Sequence, residues 1–152
     1  DSHAHACPFG AHVRRANPRD AADGPTPLQV SHHRIIRRGI TYGPPLPKGQ
    51  PDDGKARGIL FVVLNSDIEQ QFEFVQSNWM NAPLHSRFMT NLADKDAIMG
   101  ANDGTGKLII PDKEGPHFAF DLPRFVTVKG AGYFFLPSLA TLRSLAAGKG
   151  GS

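Results

Sequence analysis

Gly58-Ile59-Leu60-Phe61-Val62-Val63-Leu64-Asn65-Ser66-Asp67-Ile68-Glu69-Gln70-Gln71-Phe72-Glu73-Phe74-Val75-Gln76-Ser77-Asn78-Trp79-Met80-Asn81 contains one change of period, and that change decides the fold. Ile59 to Leu64 is a continuous apolar run of strand length, the pattern of a strand covered on both faces. From Ser66 the period lengthens. Ser66-x-x-Glu69 has the form of a capping box, and Ile68, Phe72, Val75 and Trp79 recur at helical spacing with Gln70, Glu73 and Gln76 turned away. The pattern predicts a helix whose stripe packs as core against a sheet, ended by Pro83.

Upstream, residues 34–43 are short, β-branched and bounded by Gly and Pro, which predicts a strand pairing antiparallel with 59–64. The connection at 44–58 has too many breakers to be an element, and residues 20–33 read as a loop leading to His32 and His33 at a strand entry. Downstream, 84–124 carries no strong period. Asp94 to Gly106 is mostly turn chemistry, and an ordered loop of that kind is usually functional. Phe125 to Val128 and Tyr133 to Leu136, joined by Lys129-Gly130-Ala131-Gly132, read as a hairpin. Pro137-Ser138 opens a final helix with Leu139, Leu142 and Leu145 on one face. The order strand, strand, helix, strand, strand, helix gives an α+β fold, a ferredoxin-like antiparallel sheet with helices packed on one face. Residues 1–147 form the domain and 148–152 a flexible tail.

The 152 residues suit one domain with a real core. A net charge of +3, with the basic residues in two short clusters, does not indicate nucleic-acid binding. A single cysteine, Cys7, excludes an internal disulfide framework and multi-cysteine metal sites. No apolar run reaches the roughly 18 residues of a membrane helix. The chain begins Asp-Ser-His with no initiator Met and no leader pattern, so it reads as a fragment or a processed piece.

Chemistry concentrates at Cys7-Pro8-Phe9-Gly10-Ala11-His12-Val13-Arg14-Arg15-Ala16-Asn17-Pro18-Arg19. A loop delivers one imidazole, followed at once by guanidiniums. An imidazole can ligate a metal and guanidiniums suit carboxylates, a combination that fits haem with its iron and two propionates. On the 34–43 strand, Arg37 and Arg38 point to opposite faces, so one is placed to face a ligand or anion. His32 and His33 are neighbours that point apart and form a poor metal pair.

Four further stretches agree in order with that segment: HRIIRRGITYGPPL, GILFVVLNSDIEQQFEFVQSNWMN, DAIMGANDGTG and LPRFVTVKGAGYFFLPSL. Together with CPFGAHVRRANPRD they resemble the C-terminal half of dye-decolorising (DyP-type) peroxidases, a two-module fold with haem b held mainly by the second module. The resemblance implies His12 as the proximal iron ligand and Arg37 as the distal arginine that helps polarise peroxide. It makes Ile59 and Phe61 the roof of the distal pocket. Arg14 and Arg15 are candidate propionate contacts. Asp94 and Asp96 are both candidates for the carboxylate that accepts the second N–H of the proximal imidazole.

The family's distal acid is the Asp of a GxxDG motif that precedes the proximal histidine. Here the literal match, Gly100-Ala101-Asn102-Asp103-Gly104, follows it, so Asp103 reads as a turn residue. The resemblance therefore implies a haem peroxidase half that uses hydrogen peroxide to oxidise dyes and other bulky organic reductants. Its distal Asp would come from an N-terminal half carrying GxxDG, or the site would be completed in a homo-oligomer. The alternatives are a haem-binding or haem-transfer module without turnover and, below it, an assembly half that binds no haem.

Overall fold

The computed structural model describes residues 1, 3–18, 27–82 and 95–148. The elements are α1 (His12–Arg15), α2 (Pro27–His32), β1 (Ile36–Tyr42), β2 (Gly58–Leu64), a wide helix in two stretches (Glu69–Glu73 and Val75–Met80), β3 (Gly106–Ile110), β4 (His117–Leu122) and α3 (Leu139–Ala146). The chain is mixed α+β with two small antiparallel ribbons, β1–β2 and β3–β4. The expected single sheet is not formed among the described residues, because neither ribbon pairs with the other.

The first ribbon follows the sequence closely. Ile36 lies opposite Leu64 and the register runs without slip to Tyr42 opposite Gly58. Residues directly opposite share a face, and faces alternate along a strand. One face therefore carries Arg37, Gly39 and Thr41 against Val63, Phe61 and Ile59. The other carries Ile36, Arg38, Ile40 and Tyr42 against Leu64, Val62, Leu60 and Gly58. The strand starts at Ile36 because the Arg34 carbonyl is taken by the Gln71 side-chain amide. Contrary to the expectation of a strand covered on both faces, Ile59 is 63% exposed and Leu60 59%. No other part of the described chain is laid over them.

The 43–57 connection has built-in order. Gly43 turns the chain at φ 88°, where a Cβ would lie 2.3 Å from the Ala56 carbonyl oxygen. Arg57 donates through Nε to the Pro44 carbonyl at 2.6 Å and through Nη2 to Asp53 Oδ2 at 2.9 Å, with Nη1 on Asp53 Oδ1. The two ends of the connection are thus clamped beside the ribbon.

Residues 27–33 are a short helix and turn where a loop was expected, and His33 is held there instead of entering a strand. Its ring stacks on Phe74 with centroids 3.7 Å apart and meets Trp79 edge-on at 5.3 Å, while Nδ1 engages the Gln70 carbonyl. The predicted 66–80 helix is present but wound wider than α, with the Glu73 N–H reaching the Ile68 carbonyl at 3.0 Å. Its start is not the expected Ser66–Glu69 box. Asp67 Oδ1 accepts the Gln70 N–H at 2.9 Å, and Gln71 Oε1 accepts the backbone N–H of Ser66 at 2.7 Å and of Asp67 at 3.1 Å. Wider winding puts more residues in each turn. Met80, five after Val75, joins it as a buried position, whereas Trp79 is only half-buried. Pro83 lies outside the described residues.

The second ribbon is a correction. Strands form at 106–110 and 117–122, inside the stretch that shows no strong period, and the expected 125–128/133–136 hairpin does not form. A Pro-Asp turn closes the real one, with Asp112 Oδ1 accepting the Glu114 N–H at 3.0 Å. Residues 123–138 run without strand pairing across the wide helix, where Tyr133 meets Phe72 edge-on at 6.4 Å. A hydrogen bond to Glu73 pushes the Tyr133 hydroxyl pKa up. Ser138 then caps α3, its Oγ accepting the Thr141 N–H at 3.2 Å. Leu139, Leu142 and Leu145 are exposed. Gly148, at φ 70°, closes the helix.

Asp53 offers a direct test of the connection. The Arg57 fork holds its carboxyl down from 3.8 to about 2. A depressed value means that its stabilising contribution is full above pH 3.8 and is lost as pH falls through about 2. Carboxyl titration by NMR should return the Asp53 midpoint towards 3.8 in Arg57→Gln. An unmoved midpoint would mean that the fork is not what orders the connection.

Candidate functional site

The His12 segment folds because Phe9-Gly10 turns tightly. The Ala11 N–H donates to the Pro8 carbonyl at 3.0 Å, and the Ala11 carbonyl then accepts from Arg14 and Arg15 at 2.9 Å each. Asn17-Pro18 follows, and the residue before a proline is biased out of helical backbone. One helical turn results, with His12 as its first residue. Gly10 sits so close to β3 that a Cβ would lie 3.1 Å from Leu108 Cδ1.

His12 Nδ1 lies 3.1 Å from Asp96 Oδ2, and the Asp96 side chain is fully buried. Of the two carboxylates proposed from sequence, Asp96 makes this contact. Asp94 lies outside the described residues. Asp96 Oδ1 accepts the N–H of Ile98 at 3.0 Å and of Met99 at 2.7 Å. Burial pushes the Asp96 pKa up, but the hydrogen bonds from His12, Met99 and Ile98 outweigh it and hold the group below its ordinary value. An ionised Asp96 fixes the His12 proton on Nδ1, which leaves the Nε2 lone pair to act as a donor. The His12 side chain is 36% exposed.

Asp96 is held as tightly through its backbone. Its N–H donates to the Met80 carbonyl at 2.7 Å, and its carbonyl accepts the Gly100 N–H at 2.9 Å and the Asn102 side-chain amide at 2.8 Å. A Cβ on Gly100 would lie 2.4 Å from that same carbonyl oxygen. Asn81 Oδ1 accepts the Ala101 N–H at 2.8 Å. Gly100, Asn102, Asn81 and Met80 were not singled out from sequence. Gly and Asn in GANDG signal a turn, but nothing in one-dimensional order says that the turn closes around Asp96. Asp103 is an exposed residue of that turn, as expected.

Arg14 and Arg15 depart from the propionate role that the resemblance implied. Both are buried. Arg14 donates to the carbonyls of Cys7 at 2.8 Å and Asp1 at 3.0 Å and lies over the Phe9 ring at 4.4 Å. Arg15 donates to Trp79 O at 2.8 Å and Ala82 O at 2.7 Å. Guanidiniums directed at backbone carbonyls in the interior are structural ties. Arg37, Ile59 and Phe61, by contrast, share one exposed ribbon face, with Gly39 leaving room opposite Phe61. No hydrogen bond or ion pair joins this trio to the His12–Asp96 pair among the described residues. The link is indirect, through the wide helix, which holds Arg34 by Gln71 and Arg15 by Trp79.

Gly100→Ala should force the turn off Asp96 and cost about 1–3 kcal/mol, the usual range for overpacking, measured by urea unfolding. Unchanged stability would show that the turn can open without cost. Asp96 should also set an acid limit. Because its pKa is depressed, its contribution is full above the ordinary carboxylate range and declines as pH falls below it. The stability gap between the wild type and Asp96→Asn should therefore narrow on acidification, and a constant gap would contradict an ionised Asp96.

No protein-family model matches the chain. It is 35% identical over 158 residues to the multifunctional dye peroxidase DyP2 of Amycolatopsis sp., a match that covers 91% of this chain and 32% of that protein. It is 31% identical over 156 residues to the dye-decolorizing peroxidase msp1 of Mycetinis scorodonius, covering 91% of this chain and 29% of the relative. The solved structure of the Amycolatopsis DyP2 superposes with a TM-score of 0.76 at 34% identity, over 95% of this chain and 33% of that one. The chain thus spans about a third of the length of the curated relatives it matches. By sequence and by fold it is a homologue of the dye-decolorising (DyP-type) peroxidases over that third.

Proposed function

We propose that this chain is the C-terminal haem-binding half of a peroxidase that uses hydrogen peroxide to oxidise dyes and other bulky organic reductants. The observation that carries the reading is the imidazole of His12, partly exposed and backed on Nδ1 by the buried carboxylate of Asp96. Among the described residues no cluster of three ligating side chains could hold a metal ion alone. The donor set therefore fits an iron that brings its own equatorial ligands and needs one imidazole, as haem b does. Arg14 and Arg15 are engaged with backbone carbonyls, so propionate contacts would have to be made beside those bonds or by other groups.

Bound there, haem b supplies the iron at which peroxide is reduced and the store of oxidising equivalents for the dye. His12 would hold the iron through Nε2. Asp96 keeps the proton on Nδ1 and makes the ring a stronger donor. Arg37 would bring a cation suited to the negative charge that develops as the peroxide O–O bond breaks. Ile59 and Phe61 share its face and would keep water from it once that face is covered. One proton must also move between the peroxide oxygens, which needs a distal acid–base group. We assign that group to an Asp of a GxxDG motif in an N-terminal half, because Asp103 sits exposed in a turn after His12.

The same half, or a second copy of the chain, would extend the two ribbons into a ferredoxin-like sheet. The exposed area supports such a partner. The chain presents 11338 Å² to solvent, against roughly 7,600 Å² for a compact monomer of this mass. Among the described residues no helix is long and apolar enough to cross a membrane.

Reconstitution tests the reading. Haem should give a Soret band of a five-coordinate or weakly six-coordinate ferric histidine complex, and His12→Ala should abolish it. A surviving band would remove His12 as the ligand. Peroxide-dependent dye oxidation, measured with a GxxDG-bearing N-terminal half added, should fall about 100- to 1,000-fold in Arg37→Leu, the usual loss of one charge-stabilising donor. Haem binding with no turnover in that mixture would favour the haem-transfer module instead.

A further inference from the structure

α1 is four residues long, too short to hold its own orientation, yet it begins with His12. Its two buried arginines fasten it in different ways. Arg14 reaches back within the first 14 residues, to Asp1 and Cys7. Arg15 spans 64 and 67 positions to the carbonyls of Trp79 and Ala82. Between those two residues lies Met80, whose carbonyl accepts the Asp96 N–H at 2.7 Å. Asn81, in the same stretch, holds the far end of the Asp96 turn through Ala101. Both members of the His12–Asp96 pair therefore hang from residues 79–82. A closed circuit runs from His12 along α1 to Arg15, across to Trp79 and Ala82, through Met80 to Asp96, and back to His12 Nδ1.

We propose that Arg15 is the positioning residue of the His12–Asp96 pair. Its guanidinium fixes how far α1 stands from residues 79–82, and so sets the Nδ1–Oδ2 separation and the donor strength of Nε2. Two carbonyls spaced along one chain match the planar fork of an arginine, which a lysine cannot reproduce. The cation also sits where the end of a helix is negative. The consequence for iron rests on His12 being the haem ligand. The positioning role does not.

The experiment has a haem-free arm and a haem-loaded arm. In the haem-free chain, NMR should find the His12 Nδ1–H slow to exchange with solvent. Arg15→Lys should speed that exchange about fivefold, as expected when a hydrogen-bonded tie worth about 1 kcal/mol is lost. Arg14→Gln, which removes a buried arginine on the same turn, should lower stability and leave that exchange unchanged. In the haem-loaded ferrous protein the iron–histidine stretching band should move to lower frequency in Arg15→Lys and not in Arg14→Gln. A stability loss in Arg15→Lys with both signals unmoved would overturn the proposal and leave Arg15 a packing residue. Should Arg15→Lys not fold, native-state exchange of the wild type decides. The Arg15 Nε–H and His12 Nδ1–H should open in the same event with equal free energies, and unequal values refute the coupling. A Soret band that survives His12→Ala would defeat the haem reading alone, with the haem-free arm still deciding the role of Arg15.

Discussion

The bond between His12 Nδ1 and the buried Asp96 carboxylate, 3.1 Å long, is the constraint that the rest of the described chain is arranged to satisfy. A carboxylate without solvent stays ionised only if its lone pairs are met by donors, since desolvation alone drives it to protonate. Asp96 is met by His12 on one oxygen and by two backbone N–H groups on the other. Those N–H groups belong to Ile98 and Met99, so the turn that carries the acid also solvates it. The same turn must then be exact in shape, which is why a residue without a Cβ stands at position 100.

The end of the wide helix supplies what that turn and α1 need. A helix leaves its last carbonyls without intrahelical partners. Here the carbonyls of Trp79, Met80 and Ala82 accept from Arg15, Asp96 and Arg15 again. Groups that would otherwise need water become the anchor for two distant segments. The arrangement makes the pair insensitive to sequence distance, since 84 positions separate His12 from Asp96 while both attach within four residues of chain. The covered apolar side chains include Phe9, Val75, Met80, Ala97 and Ile109, from the elements that carry or flank the pair.

Much of this was legible in the sequence and some of it could not be. The β1–β2 pairing followed from two β-branched runs and the breakers between them, and its parity placed Arg37, Ile59 and Phe61 together. His12 stood out because few local patterns explain an imidazole set between a tight turn and an Asn-Pro stop. The hairpin at 106–122 was missed because its first strand, with Leu108-Ile109-Ile110 in one run, shows no alternation, although Phe118, Phe120 and Leu122 do alternate in the second. The one expected at 125–136 has the better local signal, but strands need partners, and propensity alone cannot provide one. The backbone ties of Arg14 and Arg15 were not legible for a related reason. A guanidinium suits any oxygen, and sequence does not distinguish a propionate from a backbone carbonyl. The helix start moved from Ser66 to Asp67 by the same ambiguity, since both are good caps.

The contrast between the two halves of the candidate site follows from these facts. The His12 side is tied by hydrogen bonds between distant parts of the described chain, from Asp96 to His12 and Met80 and from Arg15 to Trp79 and Ala82. The Arg37 side is a two-stranded ribbon with apolar side chains on both faces, and a ribbon of that kind is marginal in water by itself. Its two faces are not equivalent. The face of Arg37 has a gap at Gly39 beside Phe61, whereas the face of Arg38 is filled by Ile36, Ile40, Tyr42, Leu60, Val62 and Leu64. A flat cofactor suits the first and a packed protein surface suits the second. Arg37 stands at one end of the first face, whereas Arg38 lies between Ile36 and Ile40 on the second, so the two cations meet different surroundings. The His12–Asp96 contact and the ties that hold Asp96 are made without any hydrogen bond to the ribbon among the described residues, so the geometry of the pair does not wait on the ribbon being covered.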